Sequence, residues 1–102
     1  MAVSLQVLYP ALPDTTFDHD YYRSTHMPLV QEHLGKHLLA VQASRGLASG
    51  PETPPDFYAV ATMVFDSLDT LETAMAEAGP VLADIPNYTN TRPQMLIGET
   101  LD

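Results

Sequence analysis

The chain has 102 residues, 45% of them hydrophobic, with 13 Asp or Glu against 4 Lys or Arg and a formal net charge of −9. That length makes one domain, residues 1–102, and its apolar content supports a packed core rather than a disordered tail. The charge repels phosphate backbones and anionic lipid, so nucleic acid and membrane are excluded as expected partners, and without cysteine neither a disulfide nor a thiolate metal site is possible.

Val3, Leu5, Val7 and Tyr9 alternate with Ser4, Gln6 and Leu8, which predicts a first strand ending at Pro10. This start lacks a basic segment, and no apolar run reaches the ~18 residues of a membrane span, so a soluble, cytoplasmic protein is expected. Thr16 or Asp18 can cap a helix along which Tyr22, His26, Leu29, Val30, His33 and Leu34 form one stripe. Pro28 predicts a break near Met27 with a fresh start at Pro28, and Gly35 predicts the stop.

Residues 38–47 read as a second strand, and the three prolines and one glycine of residues 48–56 mark a loop. Residues 57–65, rich in β-branched and aromatic residues, form a third strand. Asp66 or Ser67 caps a second helix with Leu68, Leu71, Met75 and Ala78 on one face. Gly79-Pro80 ends it, with one further turn over 80–84. A polar loop over 87–93 then leads to a last strand at 94–99. The order β, α, β, β, α, β predicts an α+β, ferredoxin-like fold with a four-stranded antiparallel sheet and both helices on one face.

The third strand is apolar on both sides: Phe57, Ala59, Ala61, Met63 and Phe65 alternate with Tyr58, Val60, Thr62 and Val64. Two helices cover one face only, so the other is expected to pack against a second copy, closing a dimeric α+β barrel. The competing reading is that strands carry β-branched residues whether or not they are buried.

The segment Phe17-Asp18-His19-Asp20-Tyr21-Tyr22-Arg23-Ser24-Thr25-His26-Met27-Pro28-Leu29 resembles the signature of the EthD-like family, named for a protein of ethyl tert-butyl ether degradation. Phe17, Tyr21, Tyr22, His26, Pro28 and Leu29 carry the pattern. Residues 58–68 and Asp84-Ile85-Pro86-Asn87-Tyr88-Thr89 are similar to further parts of it. The resemblance implies the dimeric α+β barrel and a role in oxidative breakdown of small organic molecules, often beside a monooxygenase system. Related barrels include cofactor-independent monooxygenases, polyketide cyclases, lactone isomerases and haem-handling enzymes, and fold alone does not choose among them.

With this resemblance, His26 is the expected acid or base and Tyr22, one turn earlier, its assistant. Either histidine role stands beside a structural one, in which the ring satisfies backbone groups freed by Pro28. The expected activity is that of an oxidoreductase or a cyclase or dehydratase on a small apolar or aromatic metabolite, without an organic cofactor. The rival is a non-catalytic ligand-binding or accessory protein serving a partner monooxygenase. No dinucleotide or phosphate-loop fingerprint occurs. His33 and His37 have ligand spacing but no complete metal set, and His19 is expected at the surface. Tyr9, Tyr58, Phe65, Met63 and Met95 could line a cavity or simply fill the core. Arg45 and Arg92 each read as a carboxylate or enolate ligand or as partner of a surface acid.

Overall fold

Alternation along four segments and helical spacing along two produce the expected element order. In the computed structural model, which describes residues 2–101, the strands are β1 (Val3–Pro10), β2 (Ala40–Arg45), β3 (Phe57–Phe65) and β4 (Gln94–Glu99). They form one antiparallel sheet in the order β2-β3-β1-β4. Between β1 and β2 run α1 (His19–Tyr21), a π-helical turn over Tyr22–His26, α2 (Met27–Leu34) and a 3-10 turn over Gly35–His37. Between β3 and β4 run α3 (Leu68–Ala76), α4 (Gly79–Asp84) and a 3-10 turn over Ile85–Asn87. The fold is α+β and ferredoxin-like.

Asp18 caps the first helical segment by accepting the Tyr21 N–H, and Ser67 caps α3 by accepting the Thr70 N–H. Three local expectations are corrected. Pro28 does not interrupt the first helix: His26 and Met27 both stay helical, and the ladder widens so that the Met27 N–H reaches the Tyr22 carbonyl five residues back. Widening upstream accommodates the proline without a break. Gly35 does stop α2, as its C-cap, but without a left-handed conformation: it stays right-handed at φ −54°, and the chain tightens into the 3-10 turn before Leu38 becomes extended. The second strand is shorter at both ends than residues 38–47: the Leu38 N–H still bonds back to Gly35, and the paired register with β3 ends at Arg45 opposite Ala59. Leu68, expected on the packed face of its helix, is 50% exposed as the first residue after the cap.

Register decides which side of the sheet is covered. Leu5, Val7 and Tyr9 pair with Met63, Ala61 and Ala59, and all six are buried beneath Val30, Leu34, Leu71 and Ala74 of the helices. The opposite face carries Leu8, Val60, Val64 and Leu96 among Gln6, Thr62, Gln42 and Ser44. Its β1 and β3 members are half-buried, whereas Leu96 on β4 is exposed. No described helix is long and apolar enough to cross a membrane.

Candidate functional site

Spacing of four places Tyr22 and His26 one turn apart on the buried side of the first helix. The π turn that begins at Tyr22 ends at His26, and their rings stack at 5.5 Å and 15°. His26 is 3% exposed. Its Nδ1 lies 2.9 Å from Oδ2 of Asp84, at the end of α4, and its Nε2 lies 3.2 Å from the Tyr88 hydroxyl. A carboxylate can only accept, so Nδ1 carries the ring proton and Nε2 accepts from Tyr88. The Tyr88 oxygen in turn accepts from Tyr9, 2.7 Å away. One chain of hydrogen bonds thus runs Tyr9, Tyr88, His26, Asp84.

Asp84 is steadied from its other side. Oδ1 accepts from the Tyr21 hydroxyl at 2.7 Å and from the Asn87 side-chain amide at 3.0 Å. Burial disfavours its charge, but the hydrogen bonds from Asn87, Tyr21 and His26 outweigh burial and hold its carboxyl below the usual range. Burial also lowers the His26 pKa, with Asp84 opposing in part, so the imidazole is neutral at pH 7. Burial pushes the Tyr9, Tyr22 and Tyr88 phenols up, and all three remain protonated donors.

Tyr88 reaches His26 because the segment before β4 is clamped to the segment before α1. Phe17 bridges Thr89, the Asp18 N–H bonds to the Tyr88 carbonyl at 2.8 Å, and Thr89 Oγ1 bonds to the Thr16 carbonyl at 2.6 Å. Phe17 lies edge-on to Tyr9, Tyr22 and Tyr88 and stacks on Tyr58. The three stretches that carry the family resemblance therefore converge on one aromatic cluster.

Tyr22 does not orient the imidazole through a hydrogen bond; Asp84 does so. The Tyr22 hydroxyl is buried without a hydrogen-bond partner among the described residues. Tyr22, His26 and Tyr9 all border an inner cavity of about 40 Å³ between the helices and the sheet. That volume holds only a water or two. However, Met27, Met63, Met75 and Met95, four of the chain's five methionines, also border it. Thioether side chains repack readily, so this wall can yield to a larger guest. An outer cleft of about 180 Å³ shares Tyr22 and Met27 with the inner cavity and adds His19, Arg23 and Arg45.

The remaining candidates separate from this centre. His37 pairs with Glu77 at 2.8 Å and His33 lies 4.0 Å from Glu32, so the two histidines face different acids. Among the described residues no three His, Asp or Glu side chains gather as metal ligands. His19 is placed less openly than expected, its Nε2 donating to the Tyr58 carbonyl at 3.0 Å. Phe65 is fully buried core, and Tyr58 bonds to Thr15 outside the inner cavity. Arg92 is exposed and borders neither cavity. Asp84 and Tyr88 were visible in the sequence only as members of the third family-like stretch, and their polar contact with His26 has no local signature.

Residues 11–92 match the EthD domain. The fold superposes on an EthD-like protein from Ralstonia eutropha with a TM-score of 0.89 at 35% identity, covering 99% of this chain and 93% of that one. SnoaB, a cofactor-independent oxygenase from Streptomyces nogalater, gives 0.67 at 10% identity, covering 99% and 93%. A dimeric ferredoxin-like protein of unknown function from Thermobifida fusca gives 0.66 at 10% identity, covering 98% and 92%. No curated protein matches the chain.

Proposed function

The chain belongs to the EthD family, and from that premise we propose that it is an enzyme acting on a small apolar or aromatic molecule, with His26 as base and Tyr22 as hydrogen-bond donor. The observation that carries this reading is the pairing of a buried, neutral His26, fixed by Asp84, with an unpartnered Tyr22 hydroxyl on the same cavity wall. A neutral imidazole accepts a proton, and a carboxylate on Nδ1 stabilises the imidazolium that results. A phenol raised by burial stays protonated and donates to a developing oxyanion.

The step is proton removal from a substrate carbon next to a carbonyl. The C–H bond breaks, the proton goes to His26 Nε2, and the electron pair moves into an enolate whose oxygen accepts from Tyr22. At 3.2 Å the Tyr88 bond to Nε2 is the longest in the network, and Tyr88 keeps Tyr9 when it is displaced. Cyclisation, dehydration, or C–O bond formation with dioxygen as oxidant each begins from that enolate. The fold likeness to a cofactor-independent oxygenase supports this class of chemistry.

Two copies are proposed to close the open sheet faces against each other, a reading supported by the half-buried Val60 and Val64 and by the dimeric neighbour. The carrier reading, service to a partner monooxygenase, predicts ligands returned unchanged. The test incubates the protein with phenols, naphthols and β-keto acids, following dioxygen uptake and product mass. Turnover by the wild type that His26→Ala abolishes, at an unchanged native mass near twice 11.2 kDa, is expected. Turnover retained in His26→Ala overturns the assignment, and ligands bound but never changed favour the carrier.

A further inference from the structure

Sheet alternation settles where Arg45 goes. Val41, Ala43 and Arg45 pair with Met63, Ala61 and Ala59, so Arg45 belongs to the helix-covered face at the end of an edge strand. Ala43 and Ala59 are small, and the space beside them forms the outer cleft, which Arg23 borders from the π turn one residue after Tyr22. Two of the chain's four basic residues thus share one cleft in a protein of net charge −9. Among the described residues neither arginine forms a salt bridge, although Lys36 does, with Glu77. His19 and Asp20 also border the cleft, leaving two guanidinium groups against one carboxylate.

We propose that this cleft binds the carboxylate of a ligand whose apolar body enters the methionine-walled cavity, so that the protein takes small aromatic or apolar acids. This rests on the reading of the His26 cavity as the site of action. Guanidinium matches a carboxylate in two parallel hydrogen bonds. A charged end costs too much to bury in the apolar inner cavity and stays at the wet mouth, while the hydrophobic part displaces the methionine side chains. Tyr22 and Met27 belong to both spaces, so a molecule anchored at the arginines extends past Tyr22 towards His26. The anchor also offsets the repulsion that a net charge of −9 exerts on an anionic ligand.

The test titrates the full chain with phenylacetate and with phenylacetamide, its neutral counterpart, and follows amide NMR shifts. Phenylacetate is expected to bind about tenfold more tightly, the effect of one charge-assisted contact. Arg23→Gln combined with Arg45→Gln, both at exposed positions, is expected to remove the preference while leaving the spectrum folded. Arg45→Lys alone restores part of it relative to Arg45→Gln. Phenylacetate that binds no tighter than phenylacetamide, or a preference that survives in the double variant, overturns the inference. His26→Asn keeps the preference if the cleft acts as described, so loss of turnover there tests the base and loss of preference in the arginine variants tests the anchor.

Discussion

Along the covered face of the sheet, Leu5, Met63 and Phe65 at one end are as deeply buried as Tyr9, Tyr22 and Tyr88 at the other. Burial does not separate the two ends; chemistry does. At the first end β1 and β3 oppose large apolar side chains, Leu5 to Met63 and Val3 to Phe65. At the second, Tyr9 opposes Ala59, and the small partner leaves room for stacked rings and an imidazole. The apolar end is satisfied by contact alone. The aromatic end buries hydroxyls, a histidine and a carboxylate, each of which needs a partner, and among the described residues it leaves one hydroxyl without any. That difference is the one expected if the proposed site lies at the second end.

The largest effect that sharpens this contrast is at the apolar end. Phe65 is fully buried, so Phe65→Ala is expected to cost ~3–5 kcal/mol of unfolding free energy. Urea unfolding measures it. Against a total of ~5–15 kcal/mol for an ordinary domain, that is a large loss, carried by no polar group. A cost below ~1 kcal/mol would mean that this end repacks freely and that the contrast between the ends is false.

An intermediate effect is expected from pH at the aromatic end. Burial lowers the His26 pKa in the folded protein below its ordinary value near 6.5. Above that value the ring is neutral in both states and linkage costs nothing. As pH falls through ~6.5 the unfolded chain takes up a proton that the folded chain refuses, so stability drops. The drop continues until the folded pKa is reached and then levels. For one proton the slope is at most ~1.4 kcal/mol per pH unit. Urea midpoints of wild type and His26→Gln, compared between about pH 7.5 and 5, isolate this group. A wild-type curve parallel to that of the variant would contradict a buried neutral imidazole. Asp84 acts in a lower window: its depressed pKa contributes stability that is lost as pH falls through the carboxylate range.

Tyr22 and His26 were legible in the sequence because their relation is local, four residues on one helix. Asp84 was not, because it lies 58 residues from His26 and meets it only when α4 docks beside α2. Tyr88 sits in a stretch of polar composition that reads as a surface loop, yet Tyr88, Thr89 and Thr91 are buried. Their burial follows from hydrogen bonds to Thr16, Asp18 and Pro10, partners more than 60 residues distant. The strands were legible for the same reason as the helices: alternation is a short-range property, and β3 and β4 fall on the expected residues. Proline misled where its local preference for a break met a helix held at both ends by buried side chains, Tyr22 before it and Val30 and Leu34 after it.

The smallest effect on stability tests the contrast most closely. Tyr22→Phe removes a buried hydroxyl that has no hydrogen-bond partner among the described residues and keeps the ring that stacks on His26 and meets Tyr9 and Phe17 edge-on. Deleting an unsatisfied polar atom lifts a desolvation penalty without breaking a bond, so stability is expected to hold or to rise by up to ~1 kcal/mol. Tyr88→Phe is the control, since it breaks bonds to Tyr9 and His26 and should lose stability instead. If Tyr22→Phe were to lose more than ~1 kcal/mol, its hydroxyl would be part of the fold's own bonding and no reserve for a ligand. A gain in stability accompanied by weaker ligand binding or turnover would show that the aromatic end keeps this hydroxyl against the interest of the fold. That trade is expected of a site and not of a core.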